Sequence, residues 1–312
     1  MKDIRTITLN PSFDLHYTVP DFEPGKENLV TAVEVEAGGK GINTSRALSA
    51  NGVKNLAYLV VGKENGASFV AQLERDGMTC RVFETEGRIR ENLTIHPGNG
   101  KETRVSLNTF VVPESVFEAL TGELLAERLQ DLLISFSGRI PMGIEKSHVI
   151  KMLQKLIGGG AKVVVDSSSF TPGDLQKIHP WLIKPNEQEI GSFSESMPKN
   201  VREAATVAKK LVEKGISETV MISLGGDGAA WSDGKDSYTL QVPKIEQPVS
   251  TIGAGDSTIA GLLAGTAEGQ PIEQTLSLGV AYGTAACLTP GTKPPRPQDV
   301  QSILSEVRIG II

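Results

Sequence analysis

Short apolar runs that alternate with helical stretches constrain the fold of this chain more strongly than any other feature. The runs lack the polar–apolar alternation that marks a strand with one face in water. They are typical of strands covered on both faces in a parallel sheet, where helices form the crossovers. We therefore predict a three-layer α/β/α sandwich with a mostly parallel central sheet and right-handed crossovers. The predicted strands are 6–9, 56–61, 132–136, 162–166 and 219–223, and the predicted helices include 116–129, 144–157 and 201–214.

Two segments break this rhythm. Residues 30–37 and 91–110 alternate polar and apolar residues, which is the period of a strand with one exposed face. The sequence Pro97-Gly98-Asn99-Gly100 has the composition of a turn between two such strands. We expect a small β-sheet that projects from the edge of the sandwich, with its strands inserted at about 12–37 and 88–111.

Composition limits the size of the core and the classes of partner. With 312 residues and 39% hydrophobic content, the chain can bury one large core, or a core with a small appendage. No repeat, low-complexity tract or long linker divides it, so we treat 1–312 as a single domain. Acidic residues outnumber basic ones, 37 to 31, which argues against broad binding to nucleic acid or an anionic membrane. A local basic pocket remains compatible with this balance.

Cysteine usage and targeting signals bear on the compartment. Cys80 and Cys287 are far apart and have no metal-ligand spacing, so they indicate ordinary thiols in a reducing compartment. The N-terminus lacks the apolar core of a signal peptide, and no apolar run approaches the roughly 20 residues that span a bilayer. These features predict a soluble, cytoplasmic protein.

A turn of small residues precedes the apolar helical stretch 259–265. Small side chains allow the backbone N–H groups of Gly253, Ala254 and Gly255 to converge where a helix begins, and such an N-terminus attracts anions. A carboxylate beside an anion site, here Asp256, indicates a base aimed at a hydroxyl that attacks phosphorus. On this segment alone, the alternative stays open that the turn only starts a helix, with Asp256 near its N-cap.

A second glycine-rich turn, within 37–48, also precedes an amphipathic helix. It carries Lys40 and Asn43 beside Gly38 and Gly39, and these residue types suit a hydroxylated or phosphorylated ligand. The chain has neither the G-x-x-x-x-G-K-[ST] spacing of a Walker loop nor a G-x-G-x-x-G after the first strand. A dinucleotide-binding fold is therefore poorly supported.

These two turns resemble the two defining motifs of the ribokinase-like carbohydrate kinases, the PfkB family. The sequence Thr8-Leu9-Asn10-Pro11-Ser12-Phe13-Asp14 is similar to the branch that contains 1-phosphofructokinases and tagatose-6-phosphate kinases. The likeness runs from about 4 to 297, with five motifs in family order. It implies a phosphotransferase that uses ATP and Mg²⁺, and it leaves open a requirement for a monovalent cation. It also implies that the small sheet is a lid over the sugar, whose outer face meets a second subunit in a homodimer.

The resemblance implies a set of sugar-binding residues. Asp14 would accept hydrogen bonds from sugar hydroxyls, although a turn-forming Asp after Pro11 is the alternative. Lys40 and Asn43 would join it, and the Gly38-Gly39 backbone would let the sugar approach closely. Arg90 aligns with the family position that contacts the sugar phosphate, which suits a guanidinium group. Lys26 and Arg104 are weaker candidates.

One position departs from the family pattern. The family commonly reads Ser-Gly-Ser-Leu-Pro where this chain has Ser137-Gly138-Arg139-Ile140-Pro141. Arg139 therefore replaces a small hydroxyl beside the sugar site. It either adds a phosphate ligand or changes which sugar is accepted, so the identity of the substrate stays open while the type of reaction does not.

The resemblance also implies residues on the nucleotide side. Asn186 and Glu189, three apart on one face of a starting helix, would orient waters on Mg²⁺. From the residues alone, Pro185 and Asn186 are only a helix start. Small residues near the second half of the chain would line the nucleotide, although small residues on a helix also indicate close helix packing. The proposed nucleotide-binding residues are Lys184, Asn186, Ser223, Gly225, Gly226, Gly228, Gly283 and Ala286.

The sequence is thus interpreted as a kinase that phosphorylates a sugar phosphate. Fructose 1-phosphate, phosphorylated at its 6-hydroxyl, is the favoured substrate, with tagatose 6-phosphate and fructose 6-phosphate as alternatives. A catalytically silent sensor of sugar phosphates or nucleotides, and a nucleoside or ribose kinase, are the other hypotheses. The four histidines are scattered, and no G-x-S-x-G elbow occurs, so hydrolase and zinc-enzyme functions have little support.

Overall fold

The structure, a computed structural model, describes residues 2–98, 100–194 and 197–312. Its strands are β1 (Asp3–Thr8), β2 (Ser12–Val19), β3 (Ala32–Gly38), β4 (Asn55–Gly62), β5 (Cys80–Thr85), β6 (Arg90–Pro97), β7 (Thr103–Val105), β8 (Leu132–Ser137), β9 (Lys162–Asp166), β10 (Leu182–Ile183), β11 (Thr219–Ser223), β12 (Ala229–Ser232), β13 (Ser237–Gln241) and β14 (Arg308–Ile311). Its helices are α1 (Lys40–Ala50), α2 (Gly66–Arg75), α3 (Glu114–Leu125), α4 (Lys146–Gly158), α5 (Pro172–Ile178), α6 (Val201–Glu213), α7 (Ala254–Glu268), α8 (Ile272–Ala286) and α9 (Pro297–Leu304).

The central sheet has ten strands within the described residues, in the order β14-β13-β12-β11-β10-β9-β8-β1-β4-β5. Neighbours from β5 to β11 run parallel. The last three strands, β12 to β14, extend the sheet in antiparallel fashion. The parallel part confirms the predicted sandwich. The antiparallel edge was missed, because β12 and β13 are short strands joined by a tight turn around Asp233.

Both faces of the sheet are covered, as the apolar strands predict. Along β9, Val163 and Val165 pack with the helices α2 to α6, whereas Val164 packs with α1, α7, α8 and α9 on the other face. Successive side chains of a strand point to opposite faces, so a run of apolar residues serves two cores. None of the described helices is long and apolar enough to cross a membrane.

The predicted helices differ from the observed ones mainly at their ends. The helix expected over 116–129 ends at Leu125, and a separate 3-10 turn follows at Leu129–Asp131. The prediction that a helix begins at Asn186 is wrong, because the described residues form a 3-10 turn there, Glu189–Ser192.

A second sheet lies apart from the central one, as expected. Its order is β3-β2-β6-β7, and we call it the lid sheet. The predicted turn after β6 includes Asn99, which lies outside the described residues, but β6 and β7 pair as an antiparallel hairpin. Strand alternation gives the lid sheet one polar face, with Asp14, Asn92 and Glu36 in register, and one apolar face. The treatment of 1–312 as one domain stays a prediction.

Candidate active site

The carboxyl edge of the parallel strands, where ligands bind in open α/β sheets, lies beneath the polar face of the lid sheet. A cavity of about 360 Å³ opens there, with α1 and α7 both beginning at its wall. Residues from distant parts of the chain line it: Ser12, Asp14, Gly39, Lys40, Asn43, Arg90, Asn92, Arg104, Asp166, Lys184, Asn186, Glu189, Thr251, Ile252, Gly253, Gly255, Asp256 and Thr292.

The N-terminus of α7 has the features of an anion site. Gly253 adopts the left-handed conformation, with φ of 78°, and none of the described side chains caps the helix. The Ala254 amide donates to the Thr251 carbonyl at 3.4 Å. The amides of Gly255 and Asp256 donate to no acceptor among the described residues. Unpaired amides at a helix start carry the positive end of the helix dipole, so this turn suits a phosphoryl group.

Asp256 is buried in the first turn of α7, with only 7% of its surface exposed. Its carboxylate accepts a hydrogen bond from the Asn43 side-chain amide at 2.8 Å. Burial, followed by repulsion from Asp166, raises the pKa of Asp256 to about 7, although Lys40, Asn43 and Lys184 oppose the shift. A carboxylate with a raised pKa, placed beside an anion site, has the properties of a general base.

Lys40 lies between the carboxylates of Asp166 and Glu189 at the wall of the cavity. Its ammonium group is 2.9 Å from an Asp166 oxygen and 3.8 Å from a Glu189 oxygen. Burial lowers the pKa of Lys40, but attraction to Asp166 and Asp256 outweighs it, and the pKa is raised above its usual value. Lys40 therefore stays charged and compensates part of the negative charge that surrounds Asp256.

Asp14 and Gly38 meet where the lid sheet joins the cavity. The Asp14 carboxylate accepts hydrogen bonds from the Asn92 amide at 2.8 Å and from the Ser12 hydroxyl at 3.2 Å. A Cβ on Gly38 would lie 2.4 Å from an Asp14 oxygen, so any larger residue would displace this carboxylate from its present position. The geometry holds Asp14 in place with one oxygen directed along the glycine turn.

Arg90 is held by carbonyl groups rather than by a carboxylate. Its guanidinium donates to the carbonyl oxygens of Asn10, Pro11 and Leu107 at 3.2–3.3 Å, and to the Asn92 side chain at 3.3 Å. Burial lowers the pKa of Arg90, and Arg139 lowers it further while Asp14 opposes this shift. Among the described residues, no carboxylate forms an ion pair with this guanidinium, although Asp14 is near enough to affect its pKa. A fixed guanidinium without an ion-pair partner suits an incoming phosphate.

Three of the predicted sugar-site residues, Gly38, Lys26 and Arg139, do not line the cavity, although Gly38 lies directly beside Asp14. Lys26 lies in the loop between β2 and β3, where it pairs with Glu23 in solvent. Arg139 is exposed, yet close enough to Arg90 to affect its pKa. Arg104 on β7 does line the cavity. Lys26 and Arg104 were predicted alike as weaker candidates, and the structure separates them.

Two of the four glycines predicted for the nucleotide, Gly228 and Gly283, have close neighbours in the structure. A Cβ on Gly283 would lie 2.2 Å from the Thr258 hydroxyl, so this glycine permits close contact between α7 and α8. Gly228 has φ of 102°, and a Cβ there would meet the Leu240 carbonyl at 2.1 Å. Neither lines the cavity, and neither do Ser223, Gly225, Gly226 or Ala286. Their contact with a nucleotide stays a prediction.

The turn at Asn186 and Glu189 is closed by reciprocal hydrogen bonds. The Asn186 side-chain oxygen accepts from the Gln188 and Glu189 amides at 2.9 Å, and the Glu189 carboxylate accepts from the Asn186 amide at 3.0 Å. The Asn186 amide oxygen is therefore occupied by the backbone. The second Glu189 oxygen faces Lys40 and the cavity.

Several lining residues were missed by the sequence analysis. Asp166 ends an apolar strand at the carboxyl edge, so the rule that selected Asp14 could also have selected it. Asn92 and Ser12 lie two residues from predicted site residues on the same strand face, and strand alternation could have found both. Thr292 comes from a loop after α8, and no local signal points to it.

The raised pKa of Asp256 predicts a cost in stability. The folded protein holds this proton up to about pH 7, whereas an unfolded Asp loses it near pH 4, so ionisation of Asp256 lowers the free energy of unfolding as pH rises between these values. We expect Asp256→Asn to raise the Tm by about 2–6 °C near pH 8 and by less near pH 5, as measured by calorimetry.

Asp174 is the matched control, because a hydrogen bond from Lys146 lowers its pKa to about 2. Its charged form stabilises the fold above its unfolded pKa, so Asp174→Asn should lower the Tm at both pH values. If Asp256→Asn changed the Tm equally near pH 5 and near pH 8, the raised pKa of Asp256 would be contradicted.

Comparison with known proteins assigns the chain to a family. Residues 8–299 match the pfkB family of carbohydrate kinases. The 1-phosphofructokinase of Bacillus subtilis (strain 168) is 32% identical over 308 residues, which cover 98% of this chain and 99% of the relative. The ATP-dependent 6-phosphofructokinase isozyme 2 of Escherichia coli (strain K12) is 29% identical, covering 97% and 98%. The crystal structure of phosphofructokinase-2 from Escherichia coli in complex with substrates and products has a TM-score of 0.88 at 28% identity, covering 97% and 99%. The chain therefore belongs to the pfkB family of carbohydrate kinases.

Proposed function

We propose that this protein transfers the γ-phosphoryl group of ATP to a hydroxyl of a sugar phosphate. The observation that carries the proposal is one cavity that holds a buried carboxylate beside a helix N-terminus and a guanidinium that forms no ion pair with any carboxylate in the described part of the chain. The first pair suits phosphoryl transfer to a hydroxyl, and the second suits an acceptor that already carries a phosphate.

Each part of the cavity has a distinct role in this proposal. Asp256 takes the proton from the attacking hydroxyl, and the amides of the 253–255 turn stabilise charge on the transferred group. Asp14 orients the sugar through its hydroxyls, next to the close-approach position at Gly38. Lys184, buried against Gly255, adds a positive charge beside the anion site.

Fructose 1-phosphate is the favoured acceptor, phosphorylated at its 6-hydroxyl. The Bacillus subtilis relative named 1-phosphofructokinase supports this choice. Fructose 6-phosphate is the second candidate, because a relative of similar identity is named ATP-dependent 6-phosphofructokinase isozyme 2. Arg139 lies near enough to Arg90 to affect its pKa. We expect Arg139 to influence whether fructose 1-phosphate or fructose 6-phosphate is preferred.

Mg²⁺ is proposed as the metal that accompanies ATP. The residues fit a metal held through water: Glu189 keeps one carboxylate oxygen toward the cavity, whereas the Asn186 side-chain oxygen is occupied by the backbone. Among the described residues, no group of three or more His, Cys, Asp or Glu side chains forms a direct cage. Mg²⁺ typically keeps several waters, so few protein ligands suffice, and the ion would screen charge on the nucleotide phosphates.

A homodimer through the lid sheet is also proposed. The apolar face of the lid carries Val35, Leu15, Leu93 and Val105 in one cross-strand row, and Val35 and Val105 are 46% and 47% exposed. An exposed apolar sheet face is typical of a protein interface.

The substrate class can be tested with a panel of fructose 1-phosphate, fructose 6-phosphate, tagatose 6-phosphate, fructose and ribose, using ATP and Mg²⁺ with and without K⁺. We expect turnover of a sugar phosphate. Arg90→Ala should reduce kcat/KM for it by about ten- to a hundred-fold through KM, because a charge-assisted contact to phosphate is lost, while the KM for ATP changes little.

Arg88→Ala is the control, since Arg88 pairs with Glu91 on the surface. A wild-type preference for an unphosphorylated sugar would overturn the substrate class, and no turnover of any acceptor would favour a silent sensor.

The metal role is tested at Glu189. Glu189→Gln removes a charged acceptor for metal-bound water, so it should raise the Mg²⁺ concentration for half-maximal rate severalfold, on the order of ten-fold. Glu187→Gln, an exposed neighbour, serves as control. An unchanged Mg²⁺ dependence in Glu189→Gln would remove Glu189 from the metal site.

The lid interface is tested by sedimentation velocity. Val35→Glu places a charge in the apolar lid face and should convert a dimer into a monomer, because burying an unpaired carboxylate is costly. Val249→Glu, which alters an exposed valine outside the lid sheet, should leave the dimer intact. A monomeric wild type would refute the interface.

A further inference from the structure

A buried arginine behind the cavity has no role in the reaction as proposed. Arg46 lies on α1 with only 5% of its surface exposed. It donates in three directions: its Nε to the Asp76 carboxylate at 2.9 Å, one terminal nitrogen to the Asn43 side-chain oxygen at 3.2 Å, and the other to the Ala37 carbonyl at 2.5 Å. Burying a guanidinium costs desolvation free energy. We therefore ask which neighbouring groups the contacts of Arg46 hold in one orientation.

The contact with Asn43 decides which end of that amide reaches Asp256. A guanidinium has donors only, so the Asn43 oxygen must face Arg46. The Asn43 amino group then points the other way and donates to the Asp256 carboxylate at 2.8 Å. A flipped amide would set amino protons against guanidinium protons, and an oxygen against a carboxylate. Arg46 thereby holds Asn43 in the orientation that stabilises the ionised form of Asp256.

Arg46 also holds the backbone that leads into the glycine turn, through its contact with Ala37. Ala37 precedes Gly38, and its carbonyl accepts from Arg46 while its amide donates to the Gln72 side chain at 2.8 Å. Both backbone polar groups of Ala37, which belong to the two peptide groups that flank its Cα, are therefore held by side chains of α1 and α2. The end of β3, from which the turn starts, is held by the same guanidinium that orients Asn43.

We infer that Arg46 is a positioning residue of the phosphoryl-transfer site, acting on Asp256 through the Asn43 amide. The inference rests on the proposed function, because Asp256 is the proposed base. In this inference Asp76 fixes the Nε of Arg46. Asp76 lies at the end of α2, and its side chain is 34% exposed.

The test is a double-mutant cycle read in the pH dependence of kcat/KM for the sugar phosphate. Arg46→Met keeps the length of the side chain and removes its donors, so Asn43 is no longer held and the proton on Asp256 is bound more tightly. The acid limb should move to higher pH by about half a unit to one unit, the size of one hydrogen bond to a carboxylate. The loss of rate should therefore be largest at low pH.

In an Asn43→Ala background, Arg46→Met should cause no further shift of the acid limb, because the connecting amide is gone. Arg75→Met is the control for charge, since Arg75 is an exposed arginine at the end of the neighbouring helix α2. Shifts that add in the double variant, or an Arg46→Met enzyme with a lower Tm and an unmoved acid limb, would overturn the inference.

Asp76→Ala covers the case in which Arg46→Met does not fold. It loosens the Nε contact at a partly exposed position and should move the acid limb in the same direction by less. An unmoved limb in a folded Asp76→Ala enzyme would then count against the inference.

A readout without turnover separates this inference from the proposed function. The fall in the free energy of unfolding with rising pH, which Asp256 causes, should extend to higher pH in Arg46→Met. If the wild type has no activity on the panel, the proposed function fails. The pH dependence of unfolding still decides whether Arg46 controls Asp256.

Discussion

The hydrogen bond from Asn43 to Asp256 is the contact on which the rest of the site depends. It joins the first turns of α1 and α7, whose starting residues are more than two hundred positions apart. The Thr44 hydroxyl adds a second link, to the Asp256 carbonyl at 3.2 Å. Two helix N-termini are thereby held against one cavity. Because each N-terminus carries partial positive charge, their convergence favours an anionic ligand between them.

Charge balance around this contact explains why a carboxylate can stay buried. Asp256 and Asp166 repel each other, and Lys40 lies where it attracts both. An isolated buried carboxylate would simply bind a proton. Here the nearby ammonium groups and the Asn43 amide keep the pKa of Asp256 within reach of neutral pH, where a general base can both accept and release a proton.

In the proposed function, strand alternation would let the lid sheet connect substrate recognition with assembly. Its polar face presents Asp14 and Arg90 to the cavity, whereas its apolar face presents Val35 and Val105 to solvent. Because neighbouring residues of a strand point to opposite sides, a strand that orients a sugar must also expose its other face. In the proposed homodimer, covering that face would restrain the same strands that bind the substrate.

The sequence by itself determined the sandwich, the lid strands and the two glycine turns, because these depend on local periodicity and on short segments of small residues. It also identified Asp256 and Lys40, which lie within those turns and which the structure brings to one cavity. It overestimated the helix after Asn186, where side-chain hydrogen bonds close a single turn instead.

Only the tertiary structure decided the partners of these residues. Lys40 pairs with Asp166 across 126 positions, and Asn43 meets Asp256 across 213, distances over which local pattern carries no information. The packing role of Gly283 and the orientation of Asn43 by Arg46 likewise depend on what surrounds each side chain. A pKa raised by burial and by a neighbouring carboxylate is a property of that surrounding, so the chemistry of Asp256 follows from the fold rather than from the residue alone.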